Sequence, residues 1–231
     1  MKRNLIKFCS LFFVLWIIST HVKGQVKGMI VSSNLKDANY NGNSFTGVGG
    51  SPFLSDKWAS GKVKLADGSN YTDLKLKYNV ENNQVFLLTD NNEVKTFQFP
   101  VTEFTLSQGA NEEKGQERVF RNGFPSIDDA NAETYYEVLA DGNTKLLKRT
   151  FKTIVAERSP SATTPTNVFK TKEKYYVLRD GEMVNTRTVK KSVLTTLSNK
   201  AVEIEKYMQL QKINMLDEKA LAKIVTYYNS L

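Results

Sequence analysis

The 231-residue chain contains one cysteine and one histidine, Cys9 and His21, both within the first 24 residues. A lone thiol cannot close an intrachain disulfide, and the pair is too few for a Cys/His zinc or iron–sulfur site. The usual proton shuttle near neutral pH is equally scarce, and a Ser-His-Asp triad would have to be built on His21. The longest apolar run, Phe8–Ile18 (FCSLFFVLWII), is shorter than the roughly 20 residues that a spanning helix needs. No phosphate-binding glycine loop is present, because Gly47-Val48-Gly49-Gly50 lacks the following lysine and a helix start.

What stands at the N-terminus is informative. Lys2, Arg3 and Lys7 precede the apolar run, and a short polar stretch, His21-Val22-Lys23-Gly24, follows it. Basic start, apolar core and a small residue before the cut form the pattern of a cleavable export signal. The spacing predicts cleavage between Gly24 and Gln25, with Val22 and Gly24 at the −3 and −1 positions; cleavage after Thr20 is the alternative. Cys9 lies at the start of the apolar core rather than its end, which excludes a lipidated signal. The expected location is therefore periplasmic or secreted.

Cleavage would remove the only thiol, the only imidazole and four of the 32 basic residues, but none of the 24 acidic ones. An enzyme left with this chain would work with carboxylates, lysine, tyrosine or a Ser-Lys pair. The remaining positive excess is small and gives little support for a nucleic-acid partner. No cofactor and no metal are expected. Export without disulfides suits a domain that holds together by its own core.

Residues 25–50 read as a first strand (Gln25–Ser32) and then an Asn/Gly-rich loop or flexible lead-in (Asn34–Gly50). From Gly61 the apolar period becomes two. Val63 and Leu65 alternate with lysines, and Leu74, Leu76 and Tyr78 alternate with Lys75 and Lys77, the signature of half-buried strands. Asp67-Gly68, Asn82-Asn83 and Asp90-Asn91-Asn92 mark turns, and further strands follow at Val85–Leu88, Val94–Phe99 and Val101–Leu106. Two later stretches echo one another, Tyr135–Gly142 and Tyr175–Gly181, and each reads as a hairpin closed by Asp-Gly. After residue 188 the period lengthens to that of helices. Thr188, Asn199 and Asp217 are candidate caps of three helices, the last carrying Leu221, Ile224, Val225 and Tyr228 on one stripe. The expected fold is mainly β: an antiparallel meander over 51–188, either a sandwich or a partly closed barrel, with a small helical C-terminal subdomain over 189–231.

Candidate chemistry is thin. Asp129, Asn131 and Glu133 begin like a calcium loop, but Thr134 stands at its glycine and Ala140 at its closing glutamate. Ser33-Asn34-Leu35-Lys36 matches S-x-x-K without the companion motifs of the enzymes that use it. Carboxylates could serve glycan hydrolysis in pairs, but no pair is singled out. Trp58 with Tyr71 and Tyr78 are candidate ligand-binding aromatics, against the commoner role of such rings in a core. Charge is uneven: nine acidic and three basic residues lie between Glu103 and Asp141, twelve basic and four acidic between Asn143 and Lys191. Complementary neighbouring strands would explain this, and so would contact of the 143–191 segment with an anionic surface.

Residues Gly50-Ser51-Pro52-Phe53-Leu54, Trp58, Gly61-Lys62-Val63 and Leu76-Lys77-Tyr78-Asn79, with Glu205-Lys206-Tyr207 and Tyr227-Tyr228-Asn229 near the end, carry a resemblance. The pattern resembles that of an exported, uncharacterised protein family of Bacteroidota. The resemblance implies an envelope or secreted location and no particular activity. The expected role is non-enzymatic, binding a ligand or envelope protein without being an integral membrane protein. A carboxylate-based glycan hydrolase and an outer-membrane β-barrel are the alternatives.

Overall fold

A computed structural model describes residues 30, 32–38, 40, 45, 47–107, 117–158, 164–213 and 217–231. Within them the strands are β1 (Leu35–Asp37), β2 (Val48–Gly49), β3 (Ala59–Leu65), β4 (Asn70–Asn79), β5 (Gln84–Leu88) and β6 (Val94–Phe97). Six more follow: β7 (Val101–Ser107), β8 (Glu117–Arg121), β9 (Tyr136–Ala140), β10 (Lys145–Glu157), β11 (Thr166–Arg179) and β12 (Glu182–Thr186). The helices are α1 (Lys190–Thr196), α2 (Ala201–Leu210) and α3 (Glu218–Tyr228). Among the described residues no helix is long and apolar enough to cross a membrane.

All the strands join one sheet in the order β1-β6-β5-β4-β3-β7-β8-β9-β10-β11-β12, with β2 set parallel against β11. Every other pairing is antiparallel. β1 and β12 are separate ends, so the strands form one mainly antiparallel sheet that is not closed. The turns are made where left-handed backbone is tolerated: Gly68, Asn83 and Asn92, and the Asp180-Gly181 pair with both residues at positive φ, the geometry of a two-residue hairpin turn.

Cross-strand partners share a face of the sheet, which sorts the core. Val63, Phe104 and Phe120 form one continuous row on one face. Leu76 and Leu87, and Tyr78 and Val85, lie on that face too, all within the larger apolar cluster. Further along, Leu146 and Val177 on this face receive α1, α2 and α3, with Val193, Ile204, Leu221, Ile224 and Val225 at the contact. The opposite face of β9–β11 holds Tyr136, Leu147 and Tyr176, covered by Phe124, Ala130 and Met183. Leu146 and Leu147, adjacent on β10, are both 0% exposed.

Three local readings of the sequence change. The Asn34–Gly50 stretch contains β1 and β2, which attach to the edges of β6 and β11 through backbone pairing that needs no side-chain pattern. Thr188 does not cap α1; Val189 occupies that position and no side chain bonds there. Asn199 does not cap α2 either: Ser198–Lys200 form a 3-10 turn leading into it, and the Asn199 amide instead donates to the Tyr228 hydroxyl at 2.9 Å. Asp217 does cap α3, accepting from the Ala220 amide at 2.7 Å. The expected first strand at Gln25–Ser32 falls mostly outside the described residues, and Ser32 opens a 3-10 turn.

The two Asp-Gly hairpins have different reasons for their glycine. Asn229, at the end of α3, reaches into the β9–β10 turn, accepting from the Thr144 amide at 2.9 Å and donating to its carbonyl at 2.7 Å. A Cβ on Gly142 would fall 2.5 Å from the Asn229 side-chain nitrogen. The glycine therefore makes room for the helix end, and its φ of 155° is a second reason that a side chain is disfavoured there. Gly142→Ala is expected to lower stability by about 1–3 kcal/mol, as other overpacking changes do, measured by urea unfolding. In an Asn229→Ala background the same change should cost clearly less, because the side chain it collides with is gone. Equal costs in both backgrounds would refute this docking.

Candidate functional site

A cavity of about 940 Å³ opens at the β1 end of the sheet, between β1, β6, β5 and the start of β4. Ile30, Leu35, Leu74, Leu87 and Leu88 are its apolar lining. Leu74 and Leu87 reach it because the period of two puts them on the same face as the main core. β4 is distorted at this point. Its pairing with β3 jumps from Gly61↔Leu74 to Val63↔Tyr71, so Thr72 and Asp73 together oppose Lys62, and Asp73 has φ 59°. Such a bulge bends a strand and re-aims its side chains, and here it places Thr72 and Asp73 in the cavity wall.

The rim is charged. Lys95 lies 2.8 Å from Asp37 and 3.2 Å from Glu93. The hydrogen bond that Lys95 donates to Asp37, then the one to Glu93, raises the Lys95 pKa, and the contact with Lys95 lowers that of Asp37. Lys36, Lys75 and Asp90 have no ion-pair partner among the described residues, and Asp73 accepts only from the Thr72 hydroxyl at 3.1 Å.

A second cluster of charge is internal. On the face that α3 covers, Glu137 accepts two parallel hydrogen bonds from Arg118, both 2.7 Å, and lies 3.1 Å from Lys148. Lys148 also binds Glu218 in the first turn of α3 and approaches Glu173 at 3.8 Å. Burial by itself would raise the Glu137 pKa, but Arg118 and then Lys148 outweigh it and hold the carboxyl below its ordinary value. Among the described residues every carboxylate whose pKa is displaced, namely Asp37, Glu117, Asp128, Asp129, Glu137 and Asp141, is displaced downward. A general acid needs the opposite shift. Among the described residues no group of three His, Cys, Asp or Glu side chains is placed to hold a metal.

The aromatic candidates do not converge on one surface. Tyr71 is 8% exposed, inside the main core, and its hydroxyl takes the Asn34 amide. Tyr78 is 4% exposed and donates to Asn83 at 2.8 Å. Trp58 instead lies beside Tyr40, with ring centres 6.0 Å apart, and 5.6 Å from the Lys77 ammonium. That ammonium sits 4.3 Å over the Phe53 ring, and Lys77 pairs across the strands with Phe86. Gly24 and Gln25 lie outside the described residues. Four of the twelve cations of the 143–191 segment pair with the acidic segment before it: Lys145 with Asp141, Lys148 with Glu137, Arg149 with Asp129 and Lys174 with Asp128.

Reasoning from sequence missed the cavity residues. Leu74 and Leu87 looked like ordinary core positions, and the bulge at Asp73 has no glycine to announce it. Leu35 lay in a stretch read as loop. No family model matches the chain, and no curated protein or solved structure matches it either.

The Glu137 network supports a prediction with a definite sign. Because the folded-state pKa of Glu137 is depressed, its contribution is complete above the unfolded value of about 4.3 and fades as pH falls toward the folded one. Replacing it with leucine strands Arg118 and should cost about 3–5 kcal/mol at neutral pH. The stability gap between the parent chain and Glu137→Gln should narrow as pH drops from 7 to below about 4.3. A gap constant with pH, measured by urea unfolding, would show that the carboxylate charge is not what the network uses.

Proposed function

We propose that the chain is an exported, non-enzymatic binding module of the bacterial envelope that holds a small ligand in the cavity between β1 and β4. The observation that carries this reading is the cavity: its volume falls within the range of about 300–1,000 Å³ typical of ligand pockets, and it combines an apolar floor with unpaired polar groups at the rim. The downward-shifted carboxylates support binding over acid–base catalysis. The charge of the 143–191 segment contributes less, since four of its cations are answered within the chain.

Export rests on the residues before Gln25. Expression of the whole chain in a Gram-negative host, followed by cell fractionation and N-terminal sequencing, tests it. The expected product begins at Gln25 and appears in the periplasm or medium, whereas Gly24→Trp accumulates as the uncleaved form. Recovery of the parent chain in the cytosol with Met1 or Lys2 at its N-terminus would overturn the assignment.

A further inference from the structure

We propose that the sheet face opposite the main core, over β4 and β5, is a site for an acidic glycan whose sugar rings lie on Trp58 and Tyr40 and whose carboxylates meet Lys77, Lys75 and Lys36. The first ground is a buried positive charge without a counter-ion. Lys77 is 9% exposed. Among the described residues its one hydrogen bond goes to the Tyr40 hydroxyl at 3.3 Å, and no carboxylate pairs with it. The Phe53, Trp58 and Tyr40 rings stand 4.3, 5.6 and 5.9 Å from the ammonium. Ring faces attract a cation, but they do not supply the counter-charge that a buried ion calls for. Lys148, just as buried, is answered by Glu137, Glu173 and Glu218.

The second ground is the charge around it. Lys75 lies two residues away on the same face, about 7 Å along β4. Lys77 pairs with Phe86, the register Leu87↔Lys95 sets Phe86 beside Thr96, and Thr96 pairs with Lys36. That row spans three strand spacings, roughly 14 Å. Lys75 and Lys36 are exposed and without an ion-pair partner among the described residues. From the bulge to Asn79, β4 puts no acidic side chain on this face, and neither do β5, β6 and β1. Leu35, Leu74 and Leu87 belong to the other face, so the site does not depend on what the cavity holds.

The rings decide between polyanions. Trp58 and Tyr40 are half-buried, 6.0 Å apart and tilted by 34°, with Tyr40 braced against Phe53 and Phe86. Held in this way they offer a fixed apolar surface to the C–H face of a sugar. A membrane-binding face needs apolar side chains that project, and none of the exposed large apolar residues lies on β1, β6, β5 or β4. The small positive excess of the chain weighs against nucleic acid.

Calorimetric titration of the chain, purified from the cell fraction that holds it, with tetragalacturonate, its methyl ester and cellotetraose tests the proposal. The acid is expected to bind about tenfold or more tightly than either neutral sugar, and its affinity should fall as salt rises. Lys75→Gln and Lys36→Gln, both at exposed positions, should each weaken it about threefold, and Trp58→Ala about tenfold. Lys77→Met should weaken binding yet raise the urea midpoint of the free protein, because it removes a buried charge that only the ligand answers. A lysine that served the fold alone would do the reverse. Equal affinity for the acid and its ester, binding of neither, or a Lys77→Met variant that binds normally or unfolds more easily than the parent would overturn the proposal. Tighter binding of oligothymidylate or of phosphatidylglycerol vesicles, lost in the same lysine variants, would overturn it in favour of another polyanion.

Discussion

The first half of strand β10 must be buried on both faces, and most of the architecture follows from that demand. Leu146 and Leu147 are neighbours in sequence, point to opposite sides, and are both 0% exposed. An antiparallel strand with one wet face would spare one of them. Here each needs its own cover. The C-terminal helices supply one, laying Leu221, Ile224 and Val225 over Leu146 and Val177. The loop between β8 and β9 supplies the other, with Phe124 and Ala130 closing over Leu147 and Tyr176. Once β10 is enclosed, β9 and β11 are fixed by their ladders to it, and the rest of the sheet is added strand by strand.

The charged network marks a boundary created by that arrangement. The row that begins with Val63, Phe104 and Phe120 continues across β9 and β10 as Glu137 and Lys148 before reaching Tyr175. On one side of the interruption the face belongs to the main core, and on the other to the helices. A buried ion pair adds little net stability against an apolar pair of the same shape. Its value here is positional: Lys148 joins Glu137 of the sheet to Glu218 at the start of α3, and Asn229 ties the other end of the same helix to Thr144. Apolar stripes alone would tolerate a helix slid by one turn. Charged and amide contacts at both ends do not.

Much of this fold was legible in the sequence, because it is written in periods and turn residues. Leu74, Leu76 and Tyr78 alternate cleanly with lysine, Asp180-Gly181 demands a two-residue turn, and Asp217 stands where a cap should. What was not legible depends on contacts between distant segments. Thr188 and Asn199 have the right chemistry for caps, but Asn199 is taken by Tyr228, which is distant in sequence. Tyr71 and Tyr78 carry the same residue type whether they face solvent or a core, and only the curvature of the sheet decides. The charge imbalance had two readings, and four of the twelve cations between Asn143 and Lys191 meet carboxylates of the preceding acidic segment.

The location of the candidate site is a consequence of the same uneven covering. The helices reach β9 through β12 and stop, so the opposite end of the sheet has to finish its core with short pieces. Leu35 and Ile30 pack against the edge of the main cluster, and Asn34 reaches Tyr71. The bulge at Thr72–Asp73 then shifts β4 by one residue, so that Tyr71 rather than Thr72 pairs with Val63 and packs into the core. A bulge without a glycine places Asp73 in a left-handed conformation that costs of order 1 kcal/mol or more. Asp73 lines the cavity, whereas at Gly61, which pairs with Leu74 beside the bulge, a Cβ would stand 2.0 Å from the Thr105 carbonyl oxygen. The cavity is therefore built into the pairing of the sheet itself, and a substitution that restored regular pairing there would be expected to close it.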